Sequence, residues 1–179
     1  KKALVAVKPA IRAKGRQARC VLSGYESAAA SVGAVERGMR VVGLTYGQFS
    51  TLDIVRHLMD TIGPAEVVLC AWRVGDAAIE ELRGFMAQGQ IVSLRMLLGY
   101  GASIPRSGGE HILSTLGAEQ VRYATLHSKF ALVKAGDWRL VLRSSMNINR
   151  CVRWEQFDLD DDPEIFAFFE DVVDRVWDE

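Results

Sequence analysis

The chain is poor in the residues that announce a metal centre or an oxidised scaffold. It has three histidines and three cysteines in 179 residues, and Cys20, Cys70 and Cys151 form no CxxC pair and stand near no histidine cluster. That excludes a disulfide framework and a zinc site of the usual spacing, and it favours a reducing, cytoplasmic setting. No apolar run approaches the ~18 residues of a membrane span, and no signal-peptide pattern opens the chain, which begins without Met. Stable membrane insertion is therefore not expected. Acids are missing from the first 25 residues, where Lys1, Lys2, Lys8, Arg12, Lys14, Arg16 and Arg19 precede Glu26. The formal net charge of +0 thus conceals a basic beginning and an acidic end.

What is present is an ordinary globular composition, 49% hydrophobic and 25% charged, of a size that forms one domain. Residues 1–38 read as a basic arm or connector and 39–179 as an α/β domain. Arg12, Lys14, Arg16 and Arg19 have the pattern of an arm that tracks phosphates, and equally that of a solvated tail or of a partner for the acidic end. From Arg40 onward, strand and helix patterns alternate. Arg40–Tyr46 is a strand, Ser50 with Asp53 three residues on is a capping signal, and Gly63-Pro64 stops the helix that follows. Ala65–Trp72, Asp76–Gln88 and Ile91–Leu98 read as strand, helix and strand, which implies a right-handed crossover and a parallel pair. Gly109–Leu116 reads as a short helix and Gln120–Ala124 as a strand. Asp160-Asp161-Asp162 before Pro163 reads as the acidic start of a terminal helix with an aromatic stripe through Phe166, Phe168 and Phe169. The fold class expected is a mixed, partly parallel sheet flanked by helices.

Chemistry concentrates in His127-Ser128-Lys129 and Ser144-Ser145-Met146-Asn147, separated by two apolar runs and the turn Lys134-Ala135-Gly136-Asp137. Alternation along strands puts His127 with Lys129 and Ser145 with Asn147. An ammonium, a hydroxyl and an amide beside an imidazole suit a phosphodiester held for attack, without a metal or other cofactor. His57 and His111 lack such company and read as surface or satisfied residues.

The order His-x-Lys, strand, turn, strand, Ser-x-Asn resembles the phospholipase D superfamily, whose signature is His-x-Lys, four residues, Asp, then Gly-Ser-x-Asn. Lys134 stands where the signature has its acid and Ser144 where it has glycine; Asp137 lies near the acid's place in a linker about two residues longer than in compact nucleases of the family. Glu155 resembles the downstream carboxylate that orients the catalytic histidine. The resemblance implies catalytic roles for His127, Lys129, Ser145, Asn147 and Glu155, and a metal-independent phosphodiesterase, an endonuclease above all, working through a phosphohistidine. The family uses two His-x-Lys motifs per site and this chain has one. A homodimer with the site across its two-fold axis is implied, acting on DNA or RNA. A phospholipid hydrolase, and an inactive nucleic-acid-binding or assembly protein that has lost the acid at Lys134, are the rival readings.

Overall fold

The computed structural model describes residues 18–22, 27–100 and 109–178. Its centre is one eight-stranded sheet in the order β1-β2-β8-β7-β6-β3-β4-β5, made of β1 (Arg19–Leu22), β2 (Arg40–Thr45), β3 (Ala65–Ala71), β4 (Ile91–Gly99), β5 (Val121–Ala124), β6 (Phe130–Ala135), β7 (Trp138–Ser144) and β8 (Glu155–Asp161). The outer pairs β1–β2, β3–β4 and β4–β5 are parallel, and the pairs among β2, β8, β7, β6 and β3 are antiparallel. This is the mixed sheet expected, and β3–β4 is the parallel pair that the strand-helix-strand pattern predicts.

Helices α1 (Ala28–Val32), α2 (Thr51–Ile62), α3 (Asp76–Ala87) and α4 (Gly109–Leu116) join one face of the sheet in a single core, where Ile54, Leu58, Ile79, Leu82 and Ile112 meet Leu69, Val133, Leu142 and Leu159. The period-2 alternation of strands sends the intervening residues to the other face. There α5 (Pro163–Asp178) packs Phe166 and Val173 on Val68, Cys70, Leu97, Phe130, Leu132 and Val141. Those partners come from β3, β4, β6 and β7 alone. On β8, β2 and β1 the same face carries Gln156, Asp158, Val42, Leu44 and Leu22, with no helix over it among the described residues, and Leu44 is 48% exposed.

Three local expectations change. Residues 1–38, read as an arm or connector, contribute β1 to the sheet and α1 to the core on its helical face; Arg12, Lys14 and Arg16 lie outside the described residues, as does the loop 101–108. Asp160 and Asp161 do not begin the last helix: both are buried in β8, and only Asp162 caps α5, accepting from the backbone of Glu164 (3.0 Å) and Ile165 (3.3 Å). Asp160 instead shares Arg143 and Arg40 with Asp158, an alternating cluster on the bare half of the sheet. Burial and the adjacent Asp158 push the Asp160 carboxyl up, against the pull of Arg143 and Arg40. Last, Phe168 of the aromatic stripe is exposed, at 66%, on the flank of α5 rather than under it, as is Val172 at 45%.

Candidate active site

The hairpin β6–β7 lies at the centre of the sheet and turns through Gly136, whose φ of 51° suits glycine, and Asp137. Its register pairs Phe130 with Arg143, and the backbone N–H of Ser144 donates to the carbonyl of Lys129 at 3.0 Å. The open end of the hairpin therefore brings the residues just before β6, His127 to Lys129, beside those just after β7, Ser145 to Asn147. Neither group is on a strand. The strands supply the anchor points, and the candidate residues occupy the loops that leave them.

Glu155 arrives from β8, whose first residues flank the end of β7. The N–H of Ser145 donates to the carbonyl of Gln156 at 3.0 Å, and the N–H of Gln156 returns a bond to the Ser145 hydroxyl oxygen at 2.9 Å. The Ser145 hydroxyl in turn donates to the Glu155 carboxylate. Glu155 is thus placed in the cluster, but on Ser145 and not on His127 as the family pattern implies. The imidazole instead meets Lys129, whose ammonium donates to the His127 carbonyl at 2.9 Å and reaches Nδ1 at 3.4 Å. An ammonium has only donors, so while it faces Nδ1 the ring proton sits on Nε2. The Trp72 ring packs on His127 with centroids 5.3 Å apart and walls one side.

The loop carrying Ser145 and Asn147 is fixed from below and from the side. Met146 and Ile148 are buried in the core. Thr51, the first residue of α2, donates its hydroxyl proton to the Met146 carbonyl at 3.2 Å. The N–H of Arg73, two residues past β3, donates to the side-chain carbonyl of Asn147 at 3.1 Å. Arg150 makes a two-pronged contact with Asp53, Nε and Nη2 at 3.1 and 3.0 Å. Asp53 is also the third residue of α2 and completes a capping box with Ser50, whose N–H donates to it at 2.8 Å. Burial pushes the Asp53 carboxyl up, but hydrogen bonds from Arg150 and Ser50 outweigh it and hold the group below its usual range. Asp53, Thr51, Trp72 and Arg73 do not stand out as site residues in the sequence. The only signal was Asp53 as a cap, and a cap says nothing of what else the carboxylate touches.

A lowered carboxyl stabilises the fold above its unfolded titration range, and the contribution disappears as pH falls through the folded value. Asp53→Ala is therefore expected to lose about 1–2 kcal/mol near neutral pH, from the cap and the partly buried ion pair together. Its deficit against the parent should shrink as pH falls below the ordinary carboxylate value of about 4. Urea unfolding of both proteins across that range measures it, and a deficit independent of pH would contradict the assignment.

Three sequence-stated candidates lie elsewhere. Lys134 points to the α5 face near the far end of β6, where it pairs with Glu66 (3.4 Å) and Glu170 (3.9 Å). Asp137, in the hairpin turn, is separated from His127 by the length of the strand, so it does not stand in for the signature acid. Arg19 belongs to β1, with its guanidinium over Gly33 at the end of α1. Cys70 lies under the cluster with its thiol on the Ser128 carbonyl at 3.6 Å, and burial pushes its pKa up to about 12 despite Lys129, which leaves it an inert thiol. Among the described residues no group of His, Cys, Asp and Glu is arranged to hold a metal ion, and no helix is long and apolar enough to cross a membrane.

No family model and no curated protein matches the sequence. Solved structures do match. A phospholipase D family member, Nuc from Salmonella typhimurium, superimposes with a TM-score of 0.56 at 13% identity, over 78% of this chain and 93% of its own. NucT from Helicobacter pylori gives 0.51 at 14%, over 78% and 96%. Polyphosphate kinase from Porphyromonas gingivalis gives 0.51 at 17%, over 70% of this chain but 24% of the kinase, so that the likeness there is to one part of a larger protein. At these identities the likeness is one of fold, and the α/β fold is the phospholipase D-like one that the sequence resemblance implied.

Proposed function

We propose that this chain, with its phospholipase D-like fold, is a metal-independent phosphodiesterase acting on nucleic acid, and that its working unit is a homodimer. The observation that carries the reading is the meeting of His127, Lys129, Ser145, Asn147 and Glu155 at the open end of one central hairpin, although they are spread over 29 positions of sequence. Lys129 and the Asn147 amide offer donors to the oxygens of a phosphodiester. An arriving phosphate replaces the His127 carbonyl and ring as the partner of Lys129, which frees Nδ1 to carry the proton and Nε2 to attack phosphorus. The Nε2–P bond forms as the P–O bond to the leaving group breaks, and the departing oxygen takes a proton. One imidazole cannot give that proton while it is the nucleophile. A second His127, from another copy, supplies it, then removes a proton from the water that cleaves the phosphohistidine.

Two features support a second copy. The bare half of the sheet leaves an apolar strip of Leu22, Val42 and Leu44 uncovered among the described residues, with Leu44 48% exposed. A cleft of about 500 Å³ lined by Lys129, Ser144, Gln156, Asp158 and Phe169 joins that half to the reactive cluster. The acid missing at Lys134 does not decide against turnover, since that position is remote from His127. The reading of a binding protein without turnover rests instead on the two contacts that close the site here, Lys129 on His127 and Glu155 on Ser145.

Incubation with labelled DNA, RNA and phospholipid vesicles in excess chelator tests the proposal, with sedimentation at micromolar concentration alongside. Cleavage of a nucleic acid that persists in chelator, by a dimer, is expected. Cleavage lost in chelator or a monomer in sedimentation would count against it, and strong binding without any cleavage would leave the binding-protein reading.

A further inference from the structure

Three of the four exposed aromatic rings among the described residues lie at the reactive end of the sheet: Tyr46, Tyr100 and Trp154, exposed by 48%, 65% and 55%; the fourth, Phe168, is on α5. Apolar rings left in water beside a polar site call for an explanation. Tyr46 follows the last residue of β2 and Trp154 precedes the first of β8, and Thr45 is registered opposite Glu155, so that the two rings are cross-strand neighbours. They meet edge to face, with centroids 5.6 Å apart and planes at 73°. The pair is held in place: the N–H of Tyr46 donates to the Gln48 side chain at 2.7 Å and the N–H of Gly47 to the Thr45 hydroxyl at 3.1 Å. On the opposite side of His127 stands Trp72, half-buried, its ring against the imidazole. In the strand order β8-β7-β6-β3, roughly three inter-strand spacings of ~4.8 Å separate Trp154 from Trp72, with the phosphate-binding groups between them. Arg153 and Arg73, each adjacent in sequence to one of these tryptophans, are exposed and make no ion pair with a described residue.

We infer that the rings on the two sides of the cluster are stacking platforms for the bases flanking the reacting phosphate, with Arg73 and Arg153 on the neighbouring phosphates, and that the substrate is single-stranded nucleic acid. The inference deepens the phosphodiesterase reading and rests on it. Bases in a duplex are already stacked and present no face to a side chain, whereas an unpaired strand offers a flat π-surface at every nucleotide beside its charges. A phosphate-only site has no use for rings kept in water. Arginine next to ring, on both sides of a reactive group, matches the alternation of phosphate and base along a strand.

The test uses full-length His127→Ala, so that binding is measured without turnover. Tryptophan fluorescence is titrated with an oligothymidylate and with an abasic oligonucleotide of equal length and charge. The thymidine strand is expected to bind tighter by at least about five-fold, the lower bound for one stacked base, with the same salt slope for both strands. Adding Tyr46→Ala and Trp154→Ala should remove much of the difference, leaving what the Trp72 side contributes, while Trp154→Phe, which keeps a ring, should retain most of it. Circular dichroism confirms that these surface variants fold. Equal binding of both strands by the parent would overturn the inference. So would a Trp154 signal that follows protein concentration rather than the strand, which makes the pair a subunit contact, or one elicited by phospholipid vesicles alone. The two readings also fail separately. Wild type that cleaves abasic and base-bearing strands with the same KM keeps the phosphodiesterase and loses the platforms; base-dependent binding with no cleavage does the reverse.

Discussion

On the proposed mechanism, His127→Ala is expected to abolish phosphodiester turnover, by well over the roughly 10²–10⁴-fold that acid–base catalysis alone contributes, because in the proposed dimer one substitution removes both nucleophile and acid from the shared site. Binding should be nearly unchanged, since Lys129, Asn147 and the surrounding arginines stay in place and the imidazole acts mainly on the transition state. The shared site makes a further quantitative demand. When wild-type and His127→Ala chains are co-refolded in equal amounts, only dimers with two wild-type chains keep both histidines, so activity per total chain should drop to about one quarter of wild type. Independent sites would keep about one half. Steady-state rates over a series of mixing ratios distinguish a parabola from a straight line, and a straight line would remove the two-fold site from the proposal.

The second large effect is expected at Gly47. Its φ of +77° lies in the left-handed region, and a Cβ built on it would fall 1.9 Å from the Cys151 carbonyl oxygen and 2.6 Å from that carbonyl carbon. Both neighbours are backbone and cannot rotate away. Gly47→Ala should cost about 2–6 kcal/mol, adding the strain of a non-glycine residue at positive φ to that of overpacking. The clash also bears on function. Residues 151–154 lead into Glu155, so relief of the contact by a shift of that segment displaces the carboxylate from Ser145. Equilibrium urea unfolding measures the first effect and turnover of the folded fraction the second. A loss under about 1 kcal/mol would mean that the loop moves aside freely. Gly38, also at positive φ but with open space around its Cβ position, is the control for strain alone.

How much of this was legible in the residues depends on how local the determining interactions are. Strand-helix-strand order and the capping box of α2 are written in periodicity and in residues a turn apart, and both formed as expected. The reactive cluster was legible because its two halves flank a single hairpin, whose register follows from two apolar runs and a glycine turn. The exact reach of that hairpin was not. Lys134 reads as a turn residue, yet the strand continues through it because Glu66 of β3 and Glu170 of α5 stand ready to pair with its ammonium, and neither is near in sequence. Asp160 and Asp161 read as the start of α5 for the same reason. A run of acids before proline is a helix signal until Arg40 and Arg143, more than a hundred and fewer than twenty positions away, claim one of them for a strand. The family resemblance implies Glu155 on His127, whereas the cross-strand bonds between Ser145 and Gln156 bring it to Ser145. Long-range pairing, unlike periodicity, leaves no mark in a single sequence.

The position of β8 in the sheet has a consequence for the order in which the site comes into being. Seven of the described strands precede β8, yet it lies between β2 and β7, so until it is synthesised both of those strands keep an open hydrogen-bonding edge. Glu155, the partner of the Ser145 hydroxyl, arrives on that same strand. A nascent chain thus carries His127 and Lys129 well before the carboxylate that completes the cluster, and insertion of the strand closes the gap in the sheet and assembles the reactive groups in one event. On the proposed function, the site is complete only when the sheet is, and the interval with two bare edges on view ends with the same event.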